Sequence, residues 1–250
     1  MLSLMKQIIK PRRTGTPPVA PSYLTQSDLL AGELGSFENP LPQTDSALLR
    51  WYSARDLVEI GDAKRVAAWP SRCGGLPLAD NNLNLMQTRL TEASNGEPSA
   101  KCSNSSTSMD TDIVLAGAIT VIIAVDVIGP VGAWASYFNG NGGNFGLGEN
   151  STTGNFYLTA GIENVGNTKL GRQNMACRFN EAASYFNHDA AQYGPFTQPA
   201  LISETQFRLG GTYSGAYCEN MYIHEVLIFD GALTDEEITA HFARLDTEWP

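Results

Sequence analysis

Near the carboxyl end the chain reads Phe207-Arg208-Leu209-Gly210-Gly211-Thr212-Tyr213, then Met221-Tyr222-Ile223-His224-Glu225-Val226-Leu227-Ile228-Phe229-Asp230, then Gly231-Ala232-Leu233-Thr234-Asp235-Glu236-Glu237-Ile238. Aromatic and β-branched residues dominate the first two runs, which suits strands. Gly210-Gly211 and Asp230-Gly231 are turn signals. Thr234 and Glu237 have the spacing of a capping box. Ile238, Phe242, Leu245 and Trp249 then recur at i, i+4, i+7 and i+11 on one helical face. The order is a strand, a turn, a long strand, a tight turn and a capped helix whose apolar stripe lies against the rest of the protein.

Upstream text continues in the same style. Ile119–Ile128, Ala133–Phe138, Phe145–Gly148, Asn155–Thr159, Met175–Phe179, Ala183–Phe186 and Gln206–Leu209 read as strands separated by Gly/Asn-rich turns such as 139–143. Short strands at this spacing predict a mainly β protein, a two-sheet antiparallel jelly-roll sandwich with a short carboxyl-terminal helix. The run Ile113–Val125 is the one stretch that mimics a membrane span. Asp126 and Gly129-Pro130 interrupt it before the ~20 residues a span needs, and its Val/Ile content predicts one central strand. No membrane insertion is expected.

The 250 residues are 42% apolar and 17% charged, with 24 glycines, so a core and many turns are both expected. Sixteen basic and 26 acidic residues give a net charge of −10. No basic patch lies beyond the amino-terminal segment, so nucleic acid is not an expected partner. Cys73, Cys102, Cys177 and Cys218 lack CxxC spacing, and free thiols are expected. Met1–Lys6 is too short an apolar stretch for a secretory signal.

Residues 1–45 read as an extended arm. Pro11, Pro17, Pro18, Pro21, Pro40 and Pro42 remove ladder donors and fix φ. Lys6, Lys10, Arg12 and Arg13 form a small basic cluster. Residues 46–250 form the sandwich.

Two resemblances follow. The closing segment resembles that of concanavalin A-like, laminin-G-like domains, "G-x-I-x-E-V-x-I-Y-D-x-x-L-(T/S)-x-x-E-I". Leu48–Asp56 with Gly61 and Arg65–Gly75 resembles the opening of the same family, and Asn95-Gly96-Glu97-Pro98-Ser99-Ala100 resembles its "N-G-K-P-A-V". This resemblance covers about residues 47–249 and implies a lectin-type sandwich. The arm, Ile9–Pro21 and then Leu29-Leu30-Ala31-Gly32-Glu33-Leu34, resembles the start of tailed-phage appendage proteins. Gly35-Ser36 departs from the "A-x" that follows there. This second resemblance implies a virion protein that is made in the host cytoplasm and attached to capsid or tail proteins through Arg12, Arg13, Glu33 and Leu34. It also implies a homo-oligomer, with a trimer favoured.

Catalytic patterns are sparse. Glucanases on this fold carry E-x-D-x-x-E on one strand, since alternate residues face one groove, and no such run occurs. Asp110 and Asp112 have strand spacing without a third carboxylate and read as a solvated edge. Tyr222-Ile223-His224 and Tyr185–His188 hold residue types used by polysaccharide lyases, in reversed order and without the arginine-rich strand. His224 reads as a hydrogen-bonded core histidine, His241 as exposed on the helix, and His188 as part of a polar loop with Asp189. No phosphate loop, dinucleotide fingerprint or dense calcium-ligand run occurs. The expectation is a non-enzymatic protein without metal or cofactor.

Sugar binding needs aromatic faces together with Asn/Gly loops for hydroxyls. Trp134, Tyr137, Asn139, Asn141, Tyr213 and Tyr217 supply that mix and are the candidate glycan contacts. The same rings would equally serve a core.

Overall fold

The computed structural model describes residues 41–60, 65–80, 87–89, 96–102, 108–129, 135–141, 145–150, 155–158, 162–165, 169–197, 201–211 and 220–250. Two antiparallel sheets face each other. In the first, β8 (Ile119–Gly129) lies between β17 (Asn220–Asp230) and β13 (Gly171–Phe179), followed outward by β14 (Ser184–His188) and β15 (Ala191–Phe196). The far edge of β17 is shared by β1 (Ala47–Ser53) and β6 (Ser99–Cys102). The second sheet runs β4 (Leu78–Asp80), β7 (Met109–Gly117), β16 (Ile202–Leu209), β9 (Ala135–Gly140), β10 (Gly146–Asn150), β11 (Asn155–Leu158) and β12 (Ile162–Val165). A ribbon of β2 (Val58–Ile60), β3 (Arg65–Trp69) and β5 (Gln87–Arg89) joins the sheets along one side, through β3–β4 and β5–β6 pairing.

Burial follows what covers each face. β8 and β17 are buried on both faces along nine successive residues each, because a helix covers the outside of their sheet. A strand covered on both sides needs no polar alternation, hence the unbroken apolar text of both. β7 alternates instead. Ile113 and Leu115 point inward, while Asp112, Val114 and Ala116 are exposed, so the outer face of the second sheet is open to solvent. Between the sheets the rings of Phe138, Phe145, Phe179 and Phe207 meet, with centroids 4.7 Å apart for Phe145–Phe179 and 5.7 Å for Phe138–Phe207.

The helix α1 (Asp235–Glu248) carries the expected capping box. Thr234 Oγ1 accepts from Glu237 N at 3.2 Å, and Glu237 Oε2 accepts from Thr234 N at 2.7 Å. Ile238, Phe242, Leu245 and Trp249 are buried as the stripe predicts. The packing reaches back to Leu41, 3% exposed, and Asp45 N donates to Glu237 Oε1 at 2.8 Å.

Several expectations need correction. The run 113–125 is two strands rather than one. Gly117, at φ +79, lets the chain turn after β7 and enter the opposite sheet as β8. β15 carried no legible pattern, since its exposed edge position imposes no apolar periodicity. Asp110 is no solvated edge. It is 8% exposed inside the sheet, where Arg208 Nε and Nη2 donate to its two oxygens at 2.7 and 2.8 Å. His241 is fully buried, because it shares the sheet-facing side of the helix with Ile238 and Leu245. His188 belongs to β14 and is buried beside Phe156 and Phe186.

Candidate functional site

Strand β9 carries the described part of the predicted sugar contacts. Its neighbours are β10 and β16, and Asn141 follows its last residue, Gly140. Tyr137 is turned into the interior. Its ring centroid lies 5.8 Å from that of Phe156, and its hydroxyl is 3.4 Å from Glu149 Oε2 inside the sandwich. A fully buried ring cannot stack on a pyranose, so Tyr137 is a core residue here. Asn139 is 9% exposed and is tied down, its Nδ2 donating to Ser136 Oγ at 3.0 Å and to the Gly211 carbonyl. Asn141 is half-buried. Its Nδ2 donates to Thr205 Oγ1 at 2.9 Å and its Oδ1 accepts from Thr205 N at 3.4 Å. Trp134, Tyr213 and Tyr217 lie outside the described residues, as do Arg12, Arg13, Glu33 and Leu34.

Gly210 N donates to Tyr137 O at 2.8 Å, and Asn139 reaches Gly211, so the two residues that follow β16 are tied to the middle of β9. In-register pairing also lines up Asp110, Arg208 and Asn139 across β7, β16 and β9. The next row pairs Asp112 with Gln206, and Ser203 and Thr205 stand exposed beside it. This gives the open face of the second sheet a polar strip of carboxylate, amide and hydroxyl groups. Hydroxyl-rich ligands are bound by such donors and acceptors.

The three histidines are neutral structural groups. Burial pushes the His224 imidazole down to about 4, with Pro98 O accepting from Nδ1 at 3.1 Å. Burial takes His241 to about 3 and also lowers His188, whose Nε2 lies 2.7 Å from Gln173 Oε1. The core expectation for His224 therefore holds. Among the described residues no group of three His, Cys, Asp or Glu side chains is placed to hold a metal ion. No described helix is long and apolar enough to cross a membrane.

Sequence reading missed the buried charge of β17. Glu225 is 1% exposed and accepts from Arg244 and from Trp249 Nε1. An acidic residue beside His224 in the middle of a mostly apolar strand was the available signal.

No protein-family model matches this sequence, and no curated protein matches it at the sequence level. Solved structures do match. A sialidase of Trypanosoma rangeli in complex with sialic acid superposes with a TM-score of 0.60 at 12% identity, covering 83% of this chain and 34% of the sialidase. A variant of that sialidase displaying trans-sialidase activity gives 0.52 at 12%, covering 90% and 36%. Domain 4 of an extracellular arabinanase from Geobacillus stearothermophilus, in complex with arabinotriose, gives 0.46 at 14%, covering 79% and 98%. The chain spans about a third of the length of the sialidases it matches. The likeness to the sialidases is one of fold, and it defines this chain as a two-sheet antiparallel β-sandwich protein. It also overturns the ground for expecting a non-enzymatic protein, since the sialidases that contain this fold over about a third of their length are enzymes. Missing motifs alone do not separate this sandwich from them.

Proposed function

We propose that the chain is a glycan-binding β-sandwich that takes saccharides on the open face of its second sheet. The observation that carries this reading is the asymmetry of the two sheets. One is closed by α1, while the other presents Asp112, Gln206, Ser203, Thr205 and Asn141 toward solvent. The fold it shares with a sialidase solved with sialic acid supports the same reading. The test is retention of the full chain on an immobilised glycan panel, with released sugar measured in parallel. Asn141→Ala and Thr205→Val should weaken retention by about tenfold, the loss of one or two hydrogen bonds. Failure to bind any glycan would overturn the reading.

A second reading is favoured by the text of the arm alone. In it, residues 1–45 dock a trimeric sandwich onto a tailed-phage particle and localise it to the virion, with glycan binding serving host attachment. Several copies would raise attachment strength through effective concentration. None of the matched structures named above is a virion protein. Deleting residues 1–45 should abolish incorporation into particles while leaving a folded remainder. Solution mass measurement decides the oligomer, and a monomer both free and on particles would sink it.

A further inference from the structure

Among the described residues, six arginines are answered by acids or carbonyls. Arg55 meets Glu248 at 2.8 Å and Glu97 at 3.4 Å, and Arg178 meets Asp235 at 2.6 Å. Arg72 pairs with Asp56, Arg208 with Asp110 and Arg244 with Glu225. Arg172 donates to the carbonyls of Trp249 and Leu245 at the end of α1. Arg50 differs. Its Nη1 donates to the neighbouring Leu49 O at 2.7 Å, its buried Nε donates to nothing, and no carboxylate among the described residues pairs with it.

Among the described residues that charge is uncompensated. The Tyr52 hydroxyl, which is hydrogen-bonded to Arg50, and the Cys73 thiol act on it electrostatically, and burial pushes both up to about 12, so both are neutral at pH 7. The guanidinium lies against the turn that follows Cys73. A Cβ on Gly75 would stand 2.5 Å from Arg50 Cζ, and Gly75 holds φ +85, a conformation that favours glycine. Gly74, Gly75 and Leu76 are exposed, and a Cβ on Gly74 would meet open space. The turn is fixed to β7 by Thr111 Oγ1, which donates to Leu76 O at 3.1 Å. A partly buried cation with no counter-charge among the described residues, under a glycine turn at the sandwich rim, is a place where an oxyanion gains a charge-assisted hydrogen bond.

We propose that Arg50 and the Gly74–Leu76 turn form a subsite for the carboxylate of an acidic saccharide. The inference rests on the glycan-binding reading and narrows it to ligands carrying a uronate or sialate group. The protein's net charge of −10 disfavours anions elsewhere on the surface, so this subsite acts by local pairing rather than by long-range steering.

The experiment is calorimetric titration of the full chain with oligogalacturonate and with sialyllactose. Each is compared with its neutral counterpart, the methyl-esterified oligomer and lactose, and sodium sulfate serves as a bare-anion control. One acidic saccharide should bind about tenfold more tightly than its counterpart, with affinity falling as salt is raised. Arg50→Gln should erase the preference and Arg50→Lys should keep part of it. If Arg50→Gln does not fold, the salt dependence of the wild type and the Arg50→Lys variant carry the test. Equal affinity for acidic and neutral forms, or a preference that survives Arg50→Gln, overturns the subsite and leaves the glycan-binding reading intact. Sulfate binding without any saccharide preference means an adventitious ion only and also overturns the subsite. No binding of any saccharide overturns both.

Discussion

Arg244 Nη1 and Nη2 stand 2.6 and 3.1 Å from the two carboxylate oxygens of Glu225, and the pair is sealed between α1 and β17. Trp249 Nε1 donates to the same carboxylate at 2.8 Å, and the Arg244 guanidinium lies 5.4 Å from the Trp51 ring. Strand β17, strand β1 and both ends of the last helical turn are thereby held at one point. Arg172 adds to it by donating to Trp249 O at 3.0 Å and Leu245 O at 3.3 Å, placing a cation at the negative end of the helix dipole.

Glu225→Ala or Arg244→Ala should therefore each cost about 3–5 kcal/mol, because the remaining charge stays buried without its partner. Replacing both residues with apolar ones of similar size, Glu225→Leu with Arg244→Met, should recover most of the loss. Urea unfolding of the three variants measures this. A double variant as unstable as the single ones would count against the account.

Stability should decline on acidification. Burial holds the folded His224 at about 4 and His241 at about 3, while both titrate near 6.5 when unfolded. The unfolded chain thus binds protons first. Stability is full above pH ~6.5 and falls with pH until each folded value is passed, at about 1.4 kcal/mol per unit per group. Both His241 ring nitrogens lack a hydrogen-bond partner, and its ring meets Phe229 edge-on at 5.1 Å. His241→Leu should flatten the decline in melting temperature between pH 7 and pH 5. An unchanged slope in that variant would show that His241 does not carry the effect.

Two glycine substitutions should separate crowding from strain. At Gly148 a Cβ would stand 2.5 Å from the Ala135 carbonyl oxygen and also run into the Tyr157 ring. Gly117 has open space around the same position and only its φ of +79 to contend with. Gly148→Ala should cost roughly 2–3 kcal/mol by overpacking, and Gly117→Ala about 1 kcal/mol by backbone strain. Equal losses in thermal unfolding would refute the distinction.

At the start of α1, Thr234→Ala should cost about 1 kcal/mol, the usual worth of a side-chain cap. Glu237→Ala should cost at least as much, because Glu237 serves both the Thr234 amide and, at 2.8 Å, the Asp45 amide. Chemical denaturation of the pair ranks them, and the reverse order would mean that the Asp45 contact adds nothing.

Much of this protein was decided by neighbours in the chain. The capping box, the helical stripe from Ile238 to Trp249 and the long β-branched runs of β8 and β17 are local patterns, and each became the element its residues predict. The sandwich followed from the spacing of such strands. Other features depend on partners far away in sequence. Asp110 is taken out of solvent by Arg208, 98 residues on, and His224 is held by Pro98, 126 residues back. Tyr137 reads equally well as a sugar platform or a core ring until the register of β9 against β10 turns it toward Phe156 and Glu149. Arg50 looks like any strand arginine until the described residues around it offer no carboxylate and a glycine turn lies against it. Backbone propensity and amphipathic period are properties of a short window, so sequence carries them alone. Which face is covered, and which charge is answered, is set by where the two sheets and the helix meet, and only the tertiary structure decides it.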